Sequence, residues 1–455
     1  MGEAKRLPQF FAAISVCIGA FSLGTVIAWT ANITDELKAG KLNDIIMDNT
    51  QLGWVGSLMP LGAVIACFPV GFLQDTIGRK KTALLTVIPY LLGWCLITFA
   101  SNVEMVYAGR FLSGVGGGSF CVVAPVYNSE IAEVEIRGMI GTFFQLFITV
   151  GILYVQVLGY IFSMFWYNIA CLIIPIIFGV LFVFQPESPV TDIKKGNDAG
   201  AEKSFNRLRG TEYDHSGEVN AIKKAIEEER NRKNFFEAMK AKSAKRATLI
   251  CLMLMFYQQL SGINAVMFYA SIIFIDAGST LEDKLCTISI GIVQVFATVV
   301  SALVVDRFGR KILLIISAFF MGVGTFFLGL FFSLKNHKVL DRDSLETIGW
   351  LPVLSLNIFI IAFSLGFGPI PWLASGEMFT EDIKGKLSAT AATFNWLLAF
   401  GVTKLYPTCA ENLGNDITFY FFTAILVSAV FFILAGIPET KGKTEAEIKE
   451  MLGGG

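Results

Sequence analysis

Apolar residues in this chain fall into long blocks separated by polar breaks. About twelve runs approach or exceed eighteen residues, with approximate cores at 12–31, 52–73, 83–100, 105–127, 140–162, 167–184, 248–275, 285–305, 312–332, 349–373, 386–407 and 417–437. A helix of that length crosses the roughly 30 Å hydrocarbon core of a bilayer. The pattern therefore predicts an all-α integral membrane protein with twelve transmembrane helices. Run 4 contains polar residues and run 10 is interrupted by prolines, so these two are the least regular. The polar segment 186–246 divides the rest into six spans plus six. The expected organisation is a first bundle over 1–185, a helical segment over 186–246, a second bundle over 247–440 and a tail over 441–455.

Composition agrees with this reading. The 455 residues are 54% hydrophobic and 16% charged, with 41 phenylalanines and a mean hydropathy of +0.62. Soluble chains keep about a quarter of their residues charged. Basic residues set the orientation. Arg79, Lys80 and Lys81 follow span 2, Arg137 follows span 4, and fourteen Lys or Arg lie in 186–246. Arg307, Arg310 and Lys311 follow span 8, and Lys384 and Lys386 follow span 10. Loops 101–104 and 163–166 carry no Lys or Arg, whereas 333–347 carries Lys335, Lys338 and Arg342 as the exception. Both termini and segment 186–246 are thus expected in the cytoplasm, with span 1 a signal anchor. No organelle signal is visible, which makes the plasma membrane the expected address of this multi-pass chain.

Smaller features add little chemistry. Most of the eight cysteines sit in apolar runs as small core residues, and no Cys-x-x-Cys pair suggests a metal. Asn32-Ile33-Thr34 matches a glycosylation sequon at the very end of span 1, where membrane contact is expected to block it. Glu218–Met239 mixes acid and base at helical spacing, with Ala221, Ile222 and Ala225 on one side, and reads as short helices against the bundle. His215 and His337 lie in hydrophilic loops, without a nucleophile or metal cluster, so no enzyme is expected. Neither a cofactor, nor a nucleic acid, nor an obligate protein partner is implied; the partners expected are the lipid bilayer and a small solute.

The charged residues are duplicated. Asp75-Thr76-Ile77-Gly78-Arg79-Lys80 recurs as Asp306-Arg307-Phe308-Gly309-Arg310-Lys311, each time between apolar stretches. Glu130 stands seven residues before Arg137, and Glu377 seven before Lys384. One half of the chain therefore echoes the other, as in transporters built from two pseudo-symmetric bundles. Charges near a membrane are expected to be paired, since one at mid-bilayer costs roughly 2.5–3.5 kcal/mol on insertion scales. Asp75, Arg79, Glu130, Arg137, Asp306, Arg310, Glu377 and Lys384, with Arg110 slightly within, are expected to form a cytoplasmic network. It would clamp the two bundles together and break when the inside opens.

Spans 1, 3, 5, 6, 7 and 9 hold no Asp, Glu, Lys or Arg at depth. A carrier of ions would be expected to keep a counter-charge there. The inner spans offer instead Gln145, Gln156, Gln258, Gln259, Asn264, Gln294, Asn395, Trp372 and Trp396. Carboxamides donate and accept, which suits a polyol, and indole faces pack on the C–H face of a sugar ring. The cargo read from these residues is a neutral polyol. Gln156 reads as a bridge between neighbouring helices. Gln258, Gln259 and Asn264 flank Ser261-Gly262, a weak point where span 7 is expected to bend near the midplane.

Several strings carry a family resemblance: DTIGRKK at 75–81, AGRFLSGVGGG at 108–118, PVYNSEIAEVEIRG at 125–138, PESP at 186–189, QQLSGINAVMFYA at 258–270, VDRFGRK at 305–311, GPIPW at 368–372 and PETKGKT at 438–444. Together, in order, they resemble the sugar porters of the major facilitator superfamily. That resemblance implies the major facilitator fold, a central sugar site and alternating access. It implies that Gln145, Gln258, Gln259, Asn264, Gln294, Trp372 and Asn395 line the site, and that Phe268 and Tyr269 form an extracellular gate. Pro369 and Pro371, with Gly366 and Gly368, break span 10 as a gating hinge. Glu187 and Glu439, in the PESP and PETKGKT strings, join the charge network.

Departures from the family pattern bear on coupling. Proton-driven relatives carry an Asp in span 1 where this chain has Gly24, so facilitated diffusion is expected over symport. Ser364 and Glu133 also replace the residues usual at their places. GTVIAWTANI at 24–33 and FNWLLAF at 394–400 are similar to the insect facilitated trehalose transporters. The function expected is facilitative transport of trehalose or a hexose such as glucose; a proton-coupled sugar symporter and a non-transporting sugar receptor are the alternatives.

Overall fold

A computed structural model of the chain describes residues 4–230, 235–278, 282–443 and 445–453. Each apolar block forms helix. The first six spans are Leu7–Ala28, Asn49–Ile77, Arg79–Leu85 continued as Val87–Thr98, Val103–Ile131, Val134–Ile161 and Met164–Val183. The last six are Lys242–Leu260 continued as Ile263–Ala277, Asp283–Phe308, Arg310–Asn336, Leu351–Leu365 continued as Ile370–Met378, Glu381–Asn412 and Asn415–Gly436. No strand occurs among the described residues.

Local signals set several boundaries. Span 2 begins at a reciprocal cap: Asp48 accepts from the Gln51 amide at 2.7 Å, and Gln51 accepts from the Asp48 amide at 3.0 Å. Span 4 is capped by Asn102, which accepts from the Met105 amide at 2.9 Å. Ten segments among the described residues are long and apolar enough to cross a membrane. The others, spans 4 and 11, run to 29 and 32 residues but are more polar.

For span 4 the polarity has a packing reason. It runs between spans 1, 2 and 3, and Gly109, Gly114, Gly116, Gly117 and Gly118 are buried in it. A Cβ on Gly114 would overlap the Met59 carbonyl, and one on Gly62 the Phe111 carbonyl, so spans 2 and 4 touch backbone to backbone. Spans 1 and 5 meet the same way through Gly24 and Gly151. A helix wrapped in protein has no need of a lipid-facing apolar surface. The lipid-facing side chains come instead from other spans, with Phe72, Val180, Phe296, Leu303 and Phe431 all exposed on the outside.

After span 6, helices Pro189–Lys194, Asp198–Arg209 and Ser216–Arg230 dock on the first bundle. Arg209 is buried; it donates to the Ile131 carbonyl at 2.7 Å and pairs with Glu218 at 3.1 Å. The face of 216–230 that packs consists of Val219, Ile222 and Ile226 against Ile193, Ala201 and Phe205. The alanines 221 and 225 of the sequence reading are exposed instead, because the longer branched side chains reach the groove first.

Both termini lie on one face, called here the basic face, and the opposite one the far face. The bundles meet on the far face. Tyr269 donates to the Leu52 and Thr403 carbonyls, Thr30 donates to the Phe268 carbonyl at 2.6 Å, and the Ser271 amide donates to the Ala31 carbonyl at 2.9 Å. Toward the basic face they part. Val134, Arg137 and Met139 are exposed, and Gly138, Gly141, Gly376 and Gly385 have open space where a Cβ would be. The gap between the bundles is thus open on the basic face and shut on the far face.

Candidate functional site: an amide relay at the centre

Span 7 breaks where expected. Gly262 sits at φ +94°, a left-handed conformation that suits glycine. A second, unexpected irregularity falls at Tyr269, whose φ of −132° and ψ of 23° leave the helical region. Span 10 breaks between Leu365 and Ile370. Pro371 lacks the N–H that would bond the carbonyl four residues back, which frees the Phe367 oxygen. The Gln258 amide fills that role, donating to the Phe367 carbonyl at 2.7 Å and to the Gly368 carbonyl at 3.1 Å.

From there a relay of carboxamides runs through the second bundle. Asn395 donates to Gln258 at 2.6 Å, Gln259 donates to Asn395 at 2.7 Å, and Asn264 donates to Gln259. The structure thus joins Gln258, Gln259, Asn264 and Asn395 in one chain, tying the break of span 7 to that of span 10. Gln294 is buried on span 8 with its Oε1 unpaired, and the indole N–H of Trp396, beside Asn395, is buried and unpaired too. Buried polar atoms are ordinarily satisfied. These two have hydrogen-bonding capacity that no protein group uses.

Gln145 and Trp372 are exposed rather than buried. Gln145 lies three turns from Gln156 on the same face of span 5. Gln156 meets Gly291 of span 8 toward the far face, and Gln145, exposed on the same side of span 5, lies toward the open gap. Pro369 caps the second half of span 10 and Pro371 lies in its first turn. Phe268 and Tyr269 are both buried on the closed far side, and Tyr269 stacks on Tyr406 with ring centroids 5.5 Å apart.

The charge network departs from expectation in three ways. First, on the basic face the ion pairs of Arg79 and of Arg310 each lie within one bundle. Arg79 pairs with Glu130 at 3.0 Å and Asp75 at 2.9 Å; Arg310 pairs with Glu377 at 2.8 Å. These pairs are intact although the gap on their own face is open, so they brace each bundle rather than clamp the two together. Second, Arg110 does not belong to the network. Span 4 starts on the far face, which puts Arg110 near that end, buried, donating to the Val26 and Val55 carbonyls at 2.7 and 2.9 Å with Trp29 5.4 Å away. Third, Arg137 is exposed and donates to the Ala132 carbonyl of its own bundle at 3.3 Å, while Lys384 lines the same pocket as Glu377. The side chain of Asp306 lies outside the described residues.

The brace is built twice to one plan. Gly78 and Gly309 adopt φ +107° and +88°, and a Cβ on either would strike Glu187 or Glu439. Glu187 accepts from the Lys80 amide at 3.0 Å; Glu439 accepts from the Arg310 and Lys311 amides at 2.9 and 3.0 Å. Ser188 donates to Glu130, and Thr440 to Glu377 at 2.6 Å. Ser188 and Thr440 were missed from sequence, although their matching places in PESP and PETK were a usable signal. Burial pushes the Glu439 carboxyl up, but the amides of Lys441, Arg310 and Lys311 and the Arg310 charge outweigh it and hold it below the ordinary value.

One far-face feature also escaped the sequence reading, and a second has a different cause from the one expected. Lys284 of span 8 donates to Glu36 at 2.6 Å and to the Gly159 carbonyl at 3.1 Å, an ionic latch between bundles. Asn32 is buried and donates to the Gln156 carbonyl at 2.6 Å, so the sequon is inaccessible here. The Gln156 amide itself is buried without a partner, in contrast to the bridging role expected of it.

Two pseudo-equivalent helical bundles, a gap open on one face and an uncharged amide-lined centre define a membrane transporter of the major facilitator architecture. The profile of the family described as "Sugar (and other) transporter" matches residues 11–452. The chain belongs to that family, and is a transporter rather than an enzyme. It is 38% identical over 451 residues to the facilitated trehalose transporter Tret1 of Polypedilum vanderplanki, covering 98% of this chain and 88% of that one. To Tret1 of Apis mellifera ligustica it is 37% identical, over 99% of this chain and 90% of that one. In structure it is similar to the inward open conformation of the xylose transporter XylE from E. coli, with a TM-score of 0.82 at 23% identity over 97% of this chain and 99% of that one. That likeness establishes the fold.

Proposed function

We propose that the protein is a facilitative uniporter for a neutral sugar, trehalose or a hexose, working by alternating access in the plasma membrane. The basic face is then cytoplasmic, and this structure is the inward-open state. Gln145, Gln258, Gln259, Asn264, Gln294, Trp372 and Asn395 line the sugar path, Phe268 and Tyr269 shut its outer end, and the Pro369–Pro371 break is the hinge. The observation that carries this reading is the amide relay, together with the buried, unpaired Gln294 oxygen and Trp396 N–H, a set of donors and acceptors without charge. Hydroxyls can meet both kinds of group.

Uniport over symport rests on span 1. A Cβ on Gly24 would overlap the Ile148 carbonyl, so an acid at this position has no room in this state. The relatives named as facilitated trehalose transporters support trehalose as the first substrate to test. The experiment is initial-rate uptake of labelled trehalose into proteoliposomes at equal pH, with glucose as competitor. Saturable uptake, unchanged by a pH gradient, is the expected result. Uptake that follows an imposed pH gradient would replace uniport by symport, and sugar binding without flux would make the protein a receptor.

A further inference from the structure

On the shut far face lies a second cavity, away from the amide relay. Its volume is about 280 Å³, and it is lined from both bundles: Lys38 and Asn49 on one side, Tyr269, Asp276, Tyr406 and Glu411 on the other. Tyr269 and Tyr406, buried, stacked on each other and held by their hydroxyls to backbone carbonyls and to Asn415, keep the lining rigid from behind. Asn49 donates to Glu411 at 2.8 Å, and Asn415 donates to Asp276 at 3.0 Å, which fixes both carboxylates. Lys38 has no partner among the described residues.

We propose that this cavity is a saccharide-binding site that exists only while the far face is shut. This rests on the transporter reading for its orientation toward the outside. The argument for a sugar is by charge and shape. Two carboxylates oppose an anion, and Lys38 opposes a cation. A neutral polyol can donate to the carboxylates and accept from the ammonium. A space of about 280 Å³, open on one side, admits a pyranose ring. The ligand is therefore a hexose or a ring of a disaccharide.

Because both bundles supply the walls, occupancy favours the shut state. Sugar at ten times its dissociation constant raises the shut population about elevenfold relative to the open one. External sugar in excess thus slows the return of the empty carrier to the outside, and uptake falls at high concentration.

The test uses Ala410→Cys, on the cavity wall, in a Cys409→Ser background of the full chain in proteoliposomes. A membrane-impermeant maleimide labels from outside with and without glucose or trehalose. Saturable slowing of labelling by sugar is expected, kept in the added Gln259→Leu variant and weakened at least tenfold by Lys38→Ala. Lys38→Ala should also relieve the high-sugar inhibition of uptake. The proposal is overturned if sugar does not slow labelling, if Gln259→Leu abolishes the protection, or if calcium or spermidine protects in place of sugar. Protection without any flux would sink the transporter reading and leave this site standing; flux without protection would do the reverse.

Discussion

Replacing Lys284 by Met should open the far face. Its ammonium reaches Glu36 at 2.6 Å and the Gly159 carbonyl at 3.1 Å, joining the bundles only while that face is shut. The pair is partly shielded, with side-chain exposures of 22% and 17%. An exposed ion pair contributes about 0–1 kcal/mol, and a hydrogen bond to a charged group roughly 1.5–3 kcal/mol. Lys41, 3.7 Å from Glu36, keeps part of the attraction after the substitution. A net loss of about 1.5 kcal/mol follows, equal to roughly a tenfold larger open population. Ser271→Cys supplies the reporter, because Ser271 is buried at the seam with its hydroxyl unpaired. Impermeant maleimide applied to the far face should label it about tenfold faster in Lys284→Met. Glu36→Gln should act similarly, and the two together should do little more than Glu36→Gln alone, since they remove one interaction. Labelling unchanged within twofold, or fully additive effects, would refute the latch.

Gln259→Leu removes the middle of the relay and strands the amides of Asn395 and Asn264, so sugar flux should fall at least tenfold with surface abundance kept; unchanged flux removes Gln259 from the site. Gln156→Met deletes a buried amide without a partner, a group that costs about 1–3 kcal/mol while the seam is shut; Ser271→Cys labelling should slow several-fold, and faster labelling would contradict this account. Glu439 is depressed below the ordinary carboxyl value, so its stabilisation is complete above the unfolded value of about 4.3 and lost only as pH falls through the lower folded one. The Tm deficit of Glu439→Gln in detergent should hold constant from pH 7 to 5 and shrink below about pH 4; a deficit that vanishes between pH 7 and 6 would show that the amide brace does not depend on the carboxylate.

Much of the molecule was legible along the chain because the bilayer imposes a length rule on every span. The twelve blocks, the duplicated charged strings, the break at Gly262 and the prolines of span 10 are all local signals, readable without knowing what lies across from them. The carboxamides were legible as a set for the same reason: polar groups among apolar neighbours stand out. Arg110 shows the limit of local reading. Its neighbourhood in sequence is a helix with a charge, and only the packing of spans 1, 2 and 4 shows two backbone carbonyls and an indole around it.

What the tertiary structure alone decided is which bundle each contact belongs to. Arg79 with Glu130, and Arg310 with Glu377, look from sequence like clamps between halves, yet each closes within its own half. The Lys284–Glu36 latch and the cavity around Lys38 and Tyr406 depend on residues more than two hundred positions apart. No periodicity links such residues, because their meeting follows from how two rigid bundles tilt against one another. The chain by itself determined the helices, their number and their uncharged interior; the tilt of the bundles decided which face is shut, which polar groups remain unpaired and where a second ligand finds room.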